Sequence, residues 1–236
     1  RWGFFAFPPG SQYSDLLITH FPNLLYFKST LLAYREIPLW CSSILSCYPF
    51  AANPLSGLWY LPNWLMLITP QPWGFNLLVA VHILWGAIGL YNLLRLIGVN
   101  SLASMSGALS FALMPKIWAH YGAGHITLIF AVSWTPWLLF AEKKRRLFPT
   151  PWWQFAPGII WGLTILADVR WAFYSGLLWA SYSLYSSVNK DYHSLRRNSG
   201  EGIRHAIFSV IIRWAKIFAV QALAGLLIAA PLLLPL

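Results

Sequence analysis

The chain has 236 residues, of which 58% are hydrophobic and only 9% charged, with 15 Trp and a formal net charge of +10. So little polar surface cannot coat a water-soluble globule of this size, and the composition points to an integral membrane protein. The basic residues gather in short gaps between apolar runs and do not cover one polar face, a pattern of membrane topology that excludes a nucleic-acid partner.

Residues 1–10 (RWGFFAFPPG) read as the outer end of a span, with aromatic residues at interface depth and Pro8, Pro9 and Gly10 ending any helix. The chain starts at Arg1 and stops inside an apolar run, so the expectation is a fragment of a longer protein with at least one span upstream. Ser14 and Asp15 make a helix start. From there to Tyr34, Leu17, Phe21, Leu24, Leu25, Leu31 and Leu32 recur at helical spacing, predicting an amphipathic helix on the membrane, kinked or divided at Pro22. Residues 37–53 have no sustained period and should be irregular. A second short amphipathic helix is expected over 55–68.

About six membrane spans follow, on the rule that about 20 apolar residues cross. They are placed at 73–97, 101–119, 125–142, 152–168, 171–188 and 207–235. The gaps at 95–100, 143–151 and 189–206 hold most of the Lys and Arg, so they face the cytoplasm. The long loop, the YGAGH turn and the ADVRW turn then lie together on the outer face. The expected architecture is all-α: a polytopic transmembrane helical bundle (73–236) preceded by the end of a truncated span and an extracytoplasmic loop with juxtamembrane helices (1–72).

Of the six acidic residues, Glu142, Asp191 and Glu201 sit in or beside basic gaps, where solvated charge pairing explains them. Glu36 follows Arg35 directly and is read the same way. Asp15 and Asp168 stand at outer helix ends in apolar surroundings, where an unpaired carboxylate is costly. Asp15 is either a helix N-cap or a catalytic group. Asp168 is read first as a local pair with Arg170. His125 closes Gly-Ala-Gly-His, whose glycines permit close backbone approach. His20 lies about 140° round a regular helix from Asp15, so the two converge only if Pro22 bends the chain. His82, mid-span, reads as a polar residue bonded between helices. No zinc-type spacing and no phosphate-cradling glycine loop is visible, and Cys41 and Cys47 could pair or stay free.

SDL near the start, then REIPLW, YPFAANPLSGLWYLPNWL, and later AGH and SWTPWLL resemble the polytopic glycosyltransferases of the GT-C fold, and most closely the bacterial YfhO-like membrane proteins. The similarity covers most of residues 12–139 and departs from the family pattern at Cys41 and at Ser46 and Cys47. It implies a transferase that moves a sugar from a polyprenyl-phosphate carrier to an acceptor at the outer face of the bacterial cytoplasmic membrane. The acceptor would be an envelope polymer, a glycolipid or a protein. The resemblance makes Asp15 the catalytic carboxylate and Asp168 a second acidic site. By ordinary chemistry Arg170, Lys116, His125 and His20 could bind donor phosphate or acceptor, and Trp40, Trp59 and Tyr60 could stack on sugar rings. A divalent metal ion could assist the leaving phosphate. The competing classes are a transporter or lipid flippase, which would place ionisable groups near the midplane, and a non-catalytic scaffold.

Overall fold

The computed structural model describes residues 14–42, 47–71, 73–198 and 203–234, with the side chains of 190–206 not described. The aromatic stretch 1–10, Ser46 and the side chains of Lys190, Asp191, Arg196, Arg197, Glu201 and Arg204 lie outside that set. Among the described residues the chain is all-helical and contains no strand beyond one isolated antiparallel bridge between Cys41 and Tyr48.

The first helix runs from Leu16 to Tyr34 in two registers. Leu16–His20 forms a π turn, closed by the Phe21 N–H on the Leu16 carbonyl, and continues directly into α1, Phe21–Tyr34. Pro22 has no N–H for an i−4 bond, and the widened turn ahead of it absorbs that loss without breaking the rod. The helix ends at Arg35, whose left-handed φ of 55° lets its N–H reach the Leu31 carbonyl. Its inward stripe is Leu16, His20, Asn23, Leu24 and Phe27, so two polar residues face in where a purely apolar face was expected. Ile18, Leu25 and Leu32 form a second, outward apolar stripe at spacing i, i+7, i+14.

The expected helix over 55–68 is instead a chain of short turns: 3₁₀ turns at Pro54–Ser56 and Leu61–Trp64, then the single turn α2, Leu65–Ile68. Gly57 at φ 65° and Pro62 prevent a continuous helix. Asn23 ties this region to α1: its Nδ2 donates to the Leu55 carbonyl at 3.0 Å and its Oδ1 accepts from the Tyr48 hydroxyl at 3.0 Å. Cys41 and Cys47 are free thiols, one buried and one exposed.

The bundle comprises α3 (Trp73–Leu96), α4 (Ser101–Ala112), α5 (Pro115–Ala123), α6 (Ile126–Leu147), α7 (Pro151–Ala167), α8 (Val169–Asn198) and α9 (Ile203–Leu233). Helix α6 sits at the centre between α3 and α7; α4 packs outside α3, α9 outside α7, and α8 touches α6, α7 and α9. The second expected span is broken at Leu113 and Met114, because Pro115 cannot continue α4 and starts α5 instead. At ~1.5 Å per residue, the 12 residues of α4 fall well short of the ~30 Å hydrocarbon core. Helix α3 and the Ile207–Leu233 part of α9 are long and apolar enough to cross a membrane. Close approach of α7 and α9 depends on Gly158, Gly162 and Gly225, where a Cβ on Gly225 would stand 2.6 Å from the Gly158 carbonyl oxygen.

One apolar core runs through both the loop and the bundle. It joins Leu16, Leu24, Tyr60 and Met66 to Phe75, Leu78, Ile117, Phe130 and Ile165. Tyr60 is its polar centre: the ring is 1% exposed and stacks on Phe130, and the hydroxyl meets His82 Nε2 at 2.6 Å and accepts from Trp134 Nε1 at 2.8 Å. Glu142 also departs from expectation. It is fully buried, not solvated, and its two oxygens accept from Arg145, Arg146, Trp179 and Ser183. Its place on the inward side of α6 explains this, since Trp179 and Ser183 of α8 cover its carboxylate.

Candidate functional site

Asp15 precedes the π turn and does not cap it. Its backbone is already helical (φ −55°, ψ −27°) and its carboxylate makes no capping bond; Ser14 Oγ accepts the Leu17 N–H instead, at 3.4 Å. The carboxylate is thereby released toward the other side of the chain, where His125 Nε2 lies 3.2 Å from its Oδ2. Asp15 Oδ1 has no partner among the described residues, and the side chain is 53% exposed.

The approach of His125 to Asp15 is a backbone effect. Helix α5 ends at Gly124, whose φ of 83° turns the chain back so that Gly124 N–H meets the Tyr121 carbonyl and His125 N–H the His120 carbonyl. A Cβ on Gly124 would sit 2.5 Å from Leu16 N and 3.0 Å from Asp15 N, so only glycine lets this turn lie against the start of the first helix. Gly122, by contrast, has open space beside it, so of the two glycines in the turn only one serves close approach. The reversal also brings His120 Nδ1 to 3.0 Å from His125 Nδ1. Hydrogen-bond logic assigns the protons. If His125 Nε2–H donates to Asp15, its Nδ1 accepts from His120 Nδ1–H, and His120 Nε2 is left as a lone-pair acceptor. Burial, then the neighbouring His125, Lys116 and Arg170, hold the His120 pKa below its ordinary value, which keeps this end of the chain neutral.

Asp168 lies on the same side but is differently bound. It caps α8, accepting the Arg170 N–H at 2.9 Å and the Trp171 N–H at 3.2 Å, while the Arg170 guanidinium bonds both its oxygens and Thr127 Oγ1 donates at 3.0 Å. Burial opposes its ionisation, but the Arg170, Trp171 and Thr127 bonds prevail and hold its carboxyl below the ordinary range. With both oxygens committed, Asp168 has no acceptor capacity left for a proton or a cation. Its role in the geometry is to fix Arg170, whose side chain remains 63% exposed.

Beside Asp168 and Arg170 is a cavity of about 270 Å³ lined by Asn53, Leu55, Thr127, Asp168 and Arg170; Asp15 and His125 are not among its lining residues. That is near the lower limit of small-molecule pockets and suits one compact polar group such as a single sugar ring. His20 lies buried beneath it, against Leu55, Asn63 and Thr127. Burial lowers its pKa to about 4, although the charges of Asp15 and Asp168 pull the other way. His20 and Asp15 do therefore converge electrostatically, through the π turn, with His20 as a neutral support and not a proton carrier. A second cavity of about 230 Å³, almost entirely apolar, has His120, Lys116 and Trp171 among its lining side chains, with Leu90, Val132 and Leu139.

The three aromatic candidates are dispersed. Trp40 is exposed, and its carbonyl accepts the Tyr26 hydroxyl. Trp59 is half-buried and donates Nε1 to the Ala51 carbonyl at 2.8 Å. Tyr60, enclosed by His82, Phe130 and Trp134, has no face open to a sugar, which corrects the stacking role expected for it. His82 itself is held by Tyr60 and by the Leu78 carbonyl at 2.7 Å. Among the described residues no group of three or more His, Cys, Asp or Glu is placed to hold a metal ion. The acids do not supply a divalent site either: Asp168 is saturated, and one oxygen of Asp15 is taken by His125. The described residues thus hold no preformed divalent site, and Asp15 Oδ1 is the one open carboxylate oxygen of this pair of acids.

Sequence reasoning missed His120 and Thr127. The spacing of His120 and His125 around Gly-Ala-Gly was a usable signal, because a glycine-ended helix folds the residue after the glycine back over its last turn. Thr127 carried none, since its partner lies 41 positions away. Comparison of the chain with protein-family models, with curated proteins and with solved structures returns no match.

Proposed function

We propose that the chain is part of a GT-C type membrane glycosyltransferase with about six spans. It transfers a sugar from a polyprenyl-phosphate donor to an acceptor on the extracytoplasmic face of a bacterial cytoplasmic membrane. The observation that carries this reading is the Asp15 carboxylate, backed through Oδ2 by the His125–His120 pair and open at Oδ1. It shares one electrostatic neighbourhood with the exposed guanidinium of Arg170. The apolar cavity with Lys116 and His120 on its wall supports a lipid-borne donor, because it would take a stretch of prenyl chain next to cationic and hydrogen-bonding groups.

In this mechanism the acceptor hydroxyl oxygen attacks the anomeric carbon as its proton passes to Asp15 Oδ1. The bond from that carbon to the phosphate oxygen breaks, and the polyprenyl phosphate leaves as an anion next to Arg170, with Lys116 contributing charge. His125 orients the carboxylate, and His120 fixes the His125 tautomer.

The test is sugar transfer from a panel of polyprenyl-phosphate sugars in membranes containing the protein, against Asp15→Asn at equal expression. Loss of a general base costs about 10²–10⁴-fold, so the variant should fall to background. Transfer undiminished in the variant would remove Asp15 from the chemistry, and no transfer with any donor would turn the reading to transport or scaffolding.

A further inference from the structure

A third cluster of polar side chains takes no part in the Asp15 site and lies toward the C-terminal end of α6. A cavity of about 300 Å³ there is lined by Arg145, Arg146, Gln154, Ser187, Arg213 and Trp214. Glu142 is the carboxylate bonded to Arg145 and Arg146, so among the described residues three guanidinium charges against one carboxylate leave two in excess. The bonds of Arg145 and Arg146 use Nε and Nη2 only, so each Nη1 has no partner among the described residues, and both residues line the cavity. Arg213 is exposed and has no hydrogen bond or ion pair among the described residues. Such a set of free planar donors around a polar hollow is the recognition chemistry of a phosphate group.

We propose that this cavity binds the phosphodiester headgroup of an anionic phospholipid, a site separate from the donor and acceptor positions. What favours a lipid over a free anion is the surface leading from it. Ile217 lines the cavity, and Val220 and Leu227 continue from Arg213 along α9 at spacing i+7 and i+14, all exposed. Acyl chains can lie along that stripe while Arg213, two turns into the apolar stretch of α9, extends its head toward the polar level. Trp214 is at the same level, with Nε1 bonded to Ser183 Oγ at 3.1 Å. The Glu142 network holds two of the three arginines in place, so the pocket is preorganised before any lipid arrives.

The inference rests on α9 spanning the membrane. The purified chain in phosphatidylcholine nanodiscs is titrated with phosphatidylglycerol, reading the thermal midpoint, alongside Arg213→Gln and Arg213→Lys. The expected result is a saturable rise in midpoint, with the half-saturating phosphatidylglycerol fraction about tenfold higher in Arg213→Gln, one charge-assisted hydrogen bond's worth, and largely restored in Arg213→Lys. Equal responses in wild type and Arg213→Gln would overturn the site, as would the same stabilisation from millimolar inorganic phosphate in pure phosphatidylcholine. Failure of the chain to insert into the discs at all would overturn the membrane reading of α9 and this site with it; insertion without phosphatidylglycerol dependence overturns this site alone.

Discussion

Gly124→Ala isolates the contact on which the candidate site depends without touching any group that would do chemistry. Two costs add. An alanine at φ 83° is in left-handed backbone, worth about 1–2 kcal/mol. Its Cβ would also lie 2.5 Å from Leu16 N, and since backbone cannot yield as a side-chain tip can, the turn must move off the first helix. The total is about 2–4 kcal/mol, in the upper range for a single substitution. Gly122→Ala is the matched control: it is helical, has nothing within 4 Å, and should be neutral or stabilising by up to ~1 kcal/mol through helix propensity. Thermal unfolding of both in one detergent gives the comparison. A second readout comes from combining Gly124→Ala with Asp15→Asn: once the turn has moved away, loss of the Asp15–His125 pair adds nothing, so the effects should be strongly non-additive. If Gly124→Ala melts with wild type, or if Gly122→Ala is equally damaging, the close-approach argument is wrong.

His20, with its pKa lowered to about 4, is neutral when folded and protonates near 6.5 when unfolded. Its burial is therefore fully tolerated above about pH 6.5, and stability is lost as pH falls from there toward 4, by up to about 3 kcal/mol. Asp168 is held below the ordinary aspartate value of 3.8 and contributes only at lower pH, so the fall in melting temperature between pH 7 and 4.5 should be shallower in His20→Gln than in wild type; parallel curves would contradict the assignment. Glu142→Gln leaves Arg145 and Arg146 without their buried counter-charge and should destabilise by about 3–5 kcal/mol, read by chemical or thermal denaturation. A change under ~1 kcal/mol would mean that the Glu142 charge is not what holds the two arginines.

Element positions were legible where apolar runs were long: the starts of α3, α4, α6 and α7 fall within a residue of those expected, whereas α9 begins at Ile203, four residues ahead of the expected 207. The outer loop was much less so. Gly57 and Pro62 signalled turns, but the apolar residues between them at helical spacing argued for a helix, and backbone chemistry won. Asp15 was recognisable as an acid at a helix end in apolar surroundings with two readings, and the geometry replaces the cap with a pair to His125, 110 positions on. Glu142 was misread because its neighbours in sequence are all basic, which looks like a solvated cluster. The groups that bury it, Trp179 and Ser183, come from α8, about 40 residues away.

Tyr60 is bonded to α6 through Trp134 and to α3 through His82, and Asp15 reaches its partner only at His125. During synthesis the loop ahead of α3 emerges well before α6, so for that interval its two principal polar anchors lack their α6 partners. The loop can take its final form only after the ribosome has delivered the segment through Trp134. A nascent chain arrested before that point would expose Asp15 and Tyr60 to protease or to alkylating probes placed beside them, and the same chain arrested later would protect them. The order of translation thus makes this loop the last part of the first half of the molecule to mature.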